Sequence, residues 1–187
     1  MSVQRTKFGL AGIVLFTFLL YPNSLEAIEV MYESFEQING TDTVEFRTRV
    51  RKVNRTTAAL DGEIDLKKPL TNDYKIKLDF FHSPIGNQQF NYYPMKIPPS
   101  GMCDFTKNTW PNYEQYYRSA VTNTIRVGEC PVEPRVANIS NHLLVPQMFS
   151  DYAPTGLWKV HVVVQTEAGD GFFAIWHMKI YSDGHFG

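Results

Sequence analysis

The sequence is short of most residue patterns that announce chemistry. It has 2 cysteines in 187 residues, which excludes a disulfide-dense scaffold. No Cys-x-x-Cys or His-x-x-x-His spacing accompanies them to suggest zinc. A Gly-x-Ser-x-Gly elbow, a His-Glu-x-x-His helix and a glycine-rich phosphate loop are all missing. The best-marked nucleophile, metalloprotease and nucleotide sites go with them. An excess of one charge is missing too: 18 Lys and Arg stand against 19 Asp and Glu, a net charge of −1. That is no footprint for nucleic acid or an anionic membrane. There is no internal repeat, linker or low-complexity segment. After the first 27 residues no stretch is apolar enough to cross a bilayer as a helix. The reading is a non-enzyme with no cofactor, no metal and no stable membrane insertion.

What is present begins with a leader. Arg5 and Lys7 precede an apolar run from Phe8 to Tyr21, which ends at Pro22-Asn23-Ser24, with Ala27 the expected last residue. The run is short and breaks at a proline, so it reads as a secretory signal peptide rather than a signal anchor. Residues 28–187 are then one secreted, extracellular domain, long enough to bury about 70% of its unfolded surface. Loss of Arg5, Lys7 and Glu26 shifts the net charge to −2. In an oxidising compartment Cys103 and Cys130 pair most simply as one disulfide. Sequons at Asn39, Asn54 and Asn138 fit a glycoprotein, although Asn54 also suits a turn on backbone grounds alone.

Period-two alternation dominates the remainder, the mark of half-buried strands. From Thr43 to His82 it predicts three antiparallel strands joined by two tight turns. Val53 faces Thr57, Val50 faces Leu60, Phe46 faces Ile64 and Val44 faces Leu66. Across the second turn, near Pro69-Leu70-Thr71-Asn72, Leu66 faces Tyr74, Ile64 faces Ile76 and Leu60 faces Phe80. His82 continues the dry parity beside Ala58, where it reads as a satisfied core residue or a polar group at a cavity mouth. Ile28–Tyr32 reads as a first strand, and Gln88–Met95 as an edge strand because of Pro94. Trp110, Tyr113, Tyr117, Ala120 and Val121 fall at helical spacing. With an Asn112/Gln115 capping box they predict a helix over Asn112–Asn123, either core packing or a lid.

The last hairpin supplies a second dry face. Pairing Thr166 with Phe172 sets Val162 opposite Trp176 and Val160 opposite Met178. On the other face it sets His161 opposite His177 and Lys159 opposite Lys179. A cross-strand histidine pair can bind metal or repel on protonation, but two exposed histidines are the simpler reading. Two dry faces make an all-β, antiparallel sandwich of seven or so strands, with one short helix between the cysteines. With 13 Phe, 10 Tyr and 3 Trp, the faces either pack directly or splay around a cavity, and pattern does not separate these.

Several short motifs, in order, resemble a family. They are Arg-Lys-Val-Asn-Arg-Thr at 51–56, Lys-Pro-Leu at 68–70, Pro-Ser-Gly-Met-Cys-Asp-Phe at 99–105, Cys130-Pro131 and Pro-Thr-Gly-Leu-Trp at 154–158. The chain resembles, over nearly all of residues 28–187, a divergent family of small secreted insect proteins. That family is related to the ML lipid-recognition domain and includes the CheB-type chemosensory proteins. The resemblance implies an immunoglobulin-like β-sandwich or cup with a lipid-sized cavity. It also implies a part in gustatory perception of contact pheromones, near degenerin-type channels on sensory neurons. The chain departs from the better-known ML proteins in having one cysteine pair where those have several. Only Cys103 and Cys130 carry over, as the disulfide.

The expected function is a secreted binding protein for an apolar ligand, a lipid or cuticular hydrocarbon, driven by desolvation at about 0.8 kcal/mol per buried CH₂. The candidate lining is the inward parity: Phe46, Leu60, Ile64, Ile76, Leu78, Phe80, Val162, Trp176 and Met178. The alternative is an extracellular protein–protein module with a solid core, acting on a receptor or channel ectodomain. Internal volume discriminates the two.

Overall fold

The alternation of apolar and polar residues resolves into nine antiparallel strands among the residues that the computed structural model describes, 28–149 and 153–182. The expected leader lies outside these residues. In chain order the elements are β1 (Ile28–Asn39), β2 (Val44–Lys52), β3 (Ala58–Leu66), β4 (Lys75–Ser83) and β5 (Asn91–Gly101). Then come α1 (Met102–Asn108), a 3₁₀ turn (Trp110–Asn112), α2 (Glu114–Tyr117), β6 (Val121–Thr122) and β7 (Arg135–Leu143). A second 3₁₀ turn (Pro146–Met148) leads to β8 (Gly156–Gln165) and β9 (Gly171–Ser182). Two sheets stack as a sandwich, one of order β1-β9-β8-β4-β5 and one of order β2-β3-β7-β6. The fold is the expected all-β sandwich.

The first hairpin has the register that burial demands: Val44 pairs with Leu66, Phe46 with Ile64 and Val50 with Leu60. At its tip the Val53 N–H donates to the Thr57 carbonyl at 2.9 Å. The second expected hairpin does not form. β3 pairs on its free side with β7, while β4 joins the other sheet between β8 and β5. Residues 67–74 are a crossover, too long for a tight hairpin turn, and Leu70 and Val132 exchange two backbone hydrogen bonds of 3.0 Å within it. Leu66, Tyr74 and Ile76 still belong to one apolar cluster with Ile64 packed on it. They meet across the sandwich instead of along a ladder, because parity fixes the face and leaves the neighbour open.

The last hairpin is displaced by two residues from the expected register. Val160 pairs with Trp176, Val162 with Ala174 and Gln165 with Gly171. Thr166 leaves the ladder and donates its N–H to the Asp170 carbonyl at 2.8 Å, closing the turn. A slip of two keeps every inward residue inward. It does separate the expected cross-strand pairs: His161 faces Ile175, Lys159 faces His177 and Lys179 faces Leu157. His161 lies between the rings of Phe81 and Phe173, at 4.6 and 5.1 Å, and His177 Nδ1 is hydrogen-bonded to Ser34 Oγ at 3.0 Å. Both are half-buried by their neighbours rather than free on a wet face.

Between the cysteines the helical region is broken. The expected helix over Asn112–Asn123 is reduced to the four residues of α2, and no side chain caps its start. Beyond Tyr117 the chain turns, and the β-branched Val121 and Thr122 pair with Ile139 and Asn138 of β7 as a strand. The longer helix is α1, with Met102 and Thr106 buried on one face. Its start is capped from far away in sequence: Asn72 Oδ1 accepts the N–H groups of Cys103 and Asp104 at 3.1 and 3.3 Å. Gly101 leaves room for that approach, since a Cβ there would stand 1.9 Å from Asn72 Oδ1. Cys103 and Cys130 form the expected disulfide, with Cα atoms 5.1 Å apart. β1 is longer than expected, and the edge strand sits at 91–101.

Candidate functional site: a hollow between the sheets

The inward residues of the two sheets do not close on one another everywhere. Trp158 and Val160 of β8 are buried, Val162 is only half-buried, and Val164 is buried again. Phe46, Ile64, Leu78, Phe80 and Trp176 are likewise inward and only half-buried. They border two chambers of about 250 Å³ and about 430 Å³. Ile76, Phe105, Trp110, Tyr117, Val162 and Trp176 line both, so the chambers share a wall. The first chamber reaches the surface beside the exposed Asn123.

All nine residues of the expected inward lining border one or both chambers. Phe46, Leu60 and Ile64 line the first chamber; Leu78, Phe80 and Met178 the second; Ile76, Val162 and Trp176 both. A second group lies outside the expected lining, although its Trp110 and Tyr117 belong to the stretch read as either core packing or a lid. Met102 and Phe105 of α1, Trp110 and Tyr117 close one flank. A chain of ring contacts runs from Phe105 through Trp110 and Tyr117 to His142, at 6.5, 5.4 and 4.6 Å. The Tyr117 ring lies nearly flat on His142, and His142 Nδ1 is hydrogen-bonded to the Tyr32 hydroxyl at 2.8 Å. The helical flank is thus tied to β7 in one sheet and β1 in the other. The helical spacing of Trp110, Tyr113 and Tyr117 was the signal for this wall; its partner His142 gave none.

Electrostatically the hollow is quiet. Burial holds His142 below the ordinary histidine range, so the ring is neutral at pH 7, and burial pushes the Tyr32 and Tyr117 hydroxyls up. Arg135 is the one charged residue among the lining; it is ion-paired with Glu129, and its Nε also donates to the Glu133 carbonyl at 3.0 Å. His82 lies on the inward parity, as expected, but not beside Ala58: β4 has joined the other sheet, so His82 pairs with Trp158 and Asn91. Its ring rests against Trp158 at 4.7 Å, and Nε2 is hydrogen-bonded to the Thr155 carbonyl at 2.9 Å. It is a satisfied core residue.

One end of the sandwich is clasped by polar groups. Asp170 accepts from the Tyr74 hydroxyl at 2.7 Å, from Lys68 Nζ at 2.9 Å and from the Thr43 hydroxyl at 3.2 Å. These contacts, Tyr74 first, hold its carboxyl below the usual carboxylate range. Among the described residues no three His, Cys, Asp or Glu side chains converge as a metal site. Asn39, Asn54 and Asn138 are all exposed. Asn54 Oδ1 also accepts from the N–H and hydroxyl of Thr56, at 2.8 and 3.0 Å, the turn role that its sequence position allowed.

No protein-family model matches the chain, and no curated protein matches it significantly.

Proposed function

We propose that this chain is a secreted carrier or receptor for a neutral apolar ligand, a lipid or long-chain hydrocarbon, held between its two sheets. The observation that carries this reading is the paired chambers of about 250 and 430 Å³ with almost wholly apolar walls. An apolar cavity of about 150 Å³ already stays dry and takes up a small hydrophobic molecule, and ligand pockets commonly run from about 300 to 1,000 Å³. A leader-like N-terminus and a disulfide support secretion. The resemblance to chemosensory relatives of the ML domain supplies the setting, contact-pheromone perception at a sensory-neuron surface. The alternative, an interaction module with a solid core, has less support, because the volume that a solid core would lack is present.

The test is native mass spectrometry on protein secreted from insect cells, then organic extraction and identification of what is released. An apolar molecule at defined stoichiometry, lost on extraction, is the expected result. Leu78→Asp, which puts a carboxylate on the wall of the larger chamber, is expected to abolish retention. A folded Leu78→Asp protein that keeps its ligand would overturn the site. A clean apo mass after exposure to lipids and hydrocarbons would overturn the function.

A further inference from the structure

Three of the four sides of the hollow are held shut. The edges β1 and β2 are bridged by Gln37, whose Nε2 donates to the Val44 carbonyl at 2.8 Å and whose Oε1 accepts the Phe46 N–H at 3.0 Å. One end is clasped at Asp170, and the other is the packed length around Trp158. The fourth side lies between the unpaired edges of β5 and β6, and the segment that links those strands closes it. That segment is unequally secured. α1 is fixed by the disulfide and by the Asn72 cap, and it buries Met102 and Thr106. At the far end the Ala120 carbonyl accepts the Ser140 N–H at 2.8 Å, just before β6 pairs with β7. Between these anchors neither the 3₁₀ turn Trp110–Asn112 nor α2 has a fully buried residue. The facing turn, Pro146–Met148, has none either.

These weakly held pieces nonetheless wall the hollow. Tyr113, Met148 and Phe149 line the larger chamber, and Trp110 and Tyr117 line both. Segments with little buried surface and exposed hydrogen bonds are the first to open. Inward, α2 rests on His142 through the Tyr117 ring and the Tyr116 backbone. Outward, one exposed hydrogen bond joins it to the facing turn, from the Tyr116 hydroxyl to the Gln147 carbonyl at 3.1 Å. The gap beside Asn123 is a poorer route for an apolar chain. Its rim includes Arg135, which is ion-paired with Glu129 and donates to the Thr124 carbonyl at 3.4 Å. Asn123 Nδ2 also donates to the Val136 carbonyl there, at 3.1 Å. Resting on the carrier reading above, we infer that residues 111–119 form a door, that the Tyr116–Gln147 bond is its latch, and that the apolar ligand enters and leaves between α2 and the turn Pro146–Met148. Swinging α2 outward withdraws Tyr117 from the wall common to both chambers, so one movement opens both.

The experiment is stopped-flow fluorescence with N-phenyl-1-naphthylamine, an apolar probe that brightens out of water. Tyr116→Phe deletes the latch and keeps the ring, and Tyr116 lines neither chamber. Uptake and release are expected to quicken together in this variant, each about fivefold, the worth of one net hydrogen bond. Gln37→Ala loosens the opposite side, also away from both linings, and is expected to leave both rates as in the wild type. Thermal unfolding checks that the variants are folded. Hydrogen exchange on the wild type reads the door without any substitution: the amides of Tyr116 and Arg118 are expected to be less protected than that of Thr109, which closes α1. Unchanged rates in folded Tyr116→Phe would overturn the inference. So would release that quickens without uptake, which marks a ligand contact, or a Gln37→Ala protein that exchanges probe as fast as Tyr116→Phe. Equal amide protection would overturn it even if neither variant folds. Each of these leaves the carrier reading standing. A wild type that takes up no probe would overturn the carrier reading, and the inference with it.

Discussion

The two lengths of β8 make the most instructive contrast in the molecule. Around Trp158 the sandwich is solid. Trp158 is 2% exposed, Ile180 1% and Ala58 2%, and the void that remains among Trp158, Phe80, Ile180 and their neighbours is about 10 Å³. That is hardly room for one water. Four residues further along the same strand, Val162 looks into chambers of hundreds of Å³. The difference lies in which side chains meet across the gap. In the solid length a tryptophan fills the gap, held between His82 and Tyr93 at 4.7 Å from each. In the hollow length Thr48 of the other sheet lines the first chamber with Val162, and its ladder partner Gly62 has no side chain to fill space. The helical flank stands beside this length and walls it off without plugging it.

Truncation should separate the two lengths most widely. Trp158→Ala removes a packed ring and its Nε1 hydrogen bond to Pro154, and should cost about 3–5 kcal/mol in denaturant unfolding. Leu78→Ala, on the wall of the larger chamber, should cost only about 1 kcal/mol in the ligand-free protein, because its side chain already borders empty space. Similar losses at both sites would mean that the hollow collapses in solution.

Enlargement inverts the experiment and should give a smaller effect. Ala58→Leu drives three extra carbons into the packed length and should cost about 1–3 kcal/mol. Val162→Phe grows into both chambers and should change stability by less than about 0.5 kcal/mol while reducing ligand capacity. A large penalty at Val162 with ligand binding untouched would erase the distinction.

The sheet faces were legible in the sequence to a degree that their neighbours were not. Period two assigns Phe46, Leu60, Ile64, Ile76, Leu78, Val162 and Trp176 to the interior, and all of them are there. It is blind to a slip of two, as the last hairpin shows, and to whether Ile76 meets Ile64 along a sheet or across the gap. The hollow itself was nearly silent, because Val162 and Val164 read alike although one is half-buried and the other buried. The faint signal was a break in the inward rows at Thr48 and Gly62, where a hydroxyl and a missing side chain stand opposite each other. The cap on α1 was beyond reach, since it depends on Asn72 approaching Gly101 from a loop in another part of the chain.

The smallest expected effect concerns acid. His142 joins the hollow's helical flank to both sheets, and burial lowers its pKa. His161 and His177 on the outer face are lowered as well, chiefly by burial and secondly by Lys159. In the unfolded chain these rings take up protons below about pH 6.5; in the fold they resist. The unfolded state therefore binds more protons below that point, and stability declines as pH falls from 7 toward 5.5. The carboxylates whose pKa values are lowered, such as Asp170 and Asp61, titrate below this window and do not contribute to it. The rings against His142 are the phenols of Tyr32 and Tyr117, not carboxylates, and a backbone hydrogen bond at Tyr116 only partly offsets the burial. His142→Asn keeps an acceptor for Tyr32 and removes one titration. It should flatten part of the decline measured by denaturant unfolding across the window. An unchanged slope in that variant would place the pH sensitivity on the outer face, away from both lengths of the core.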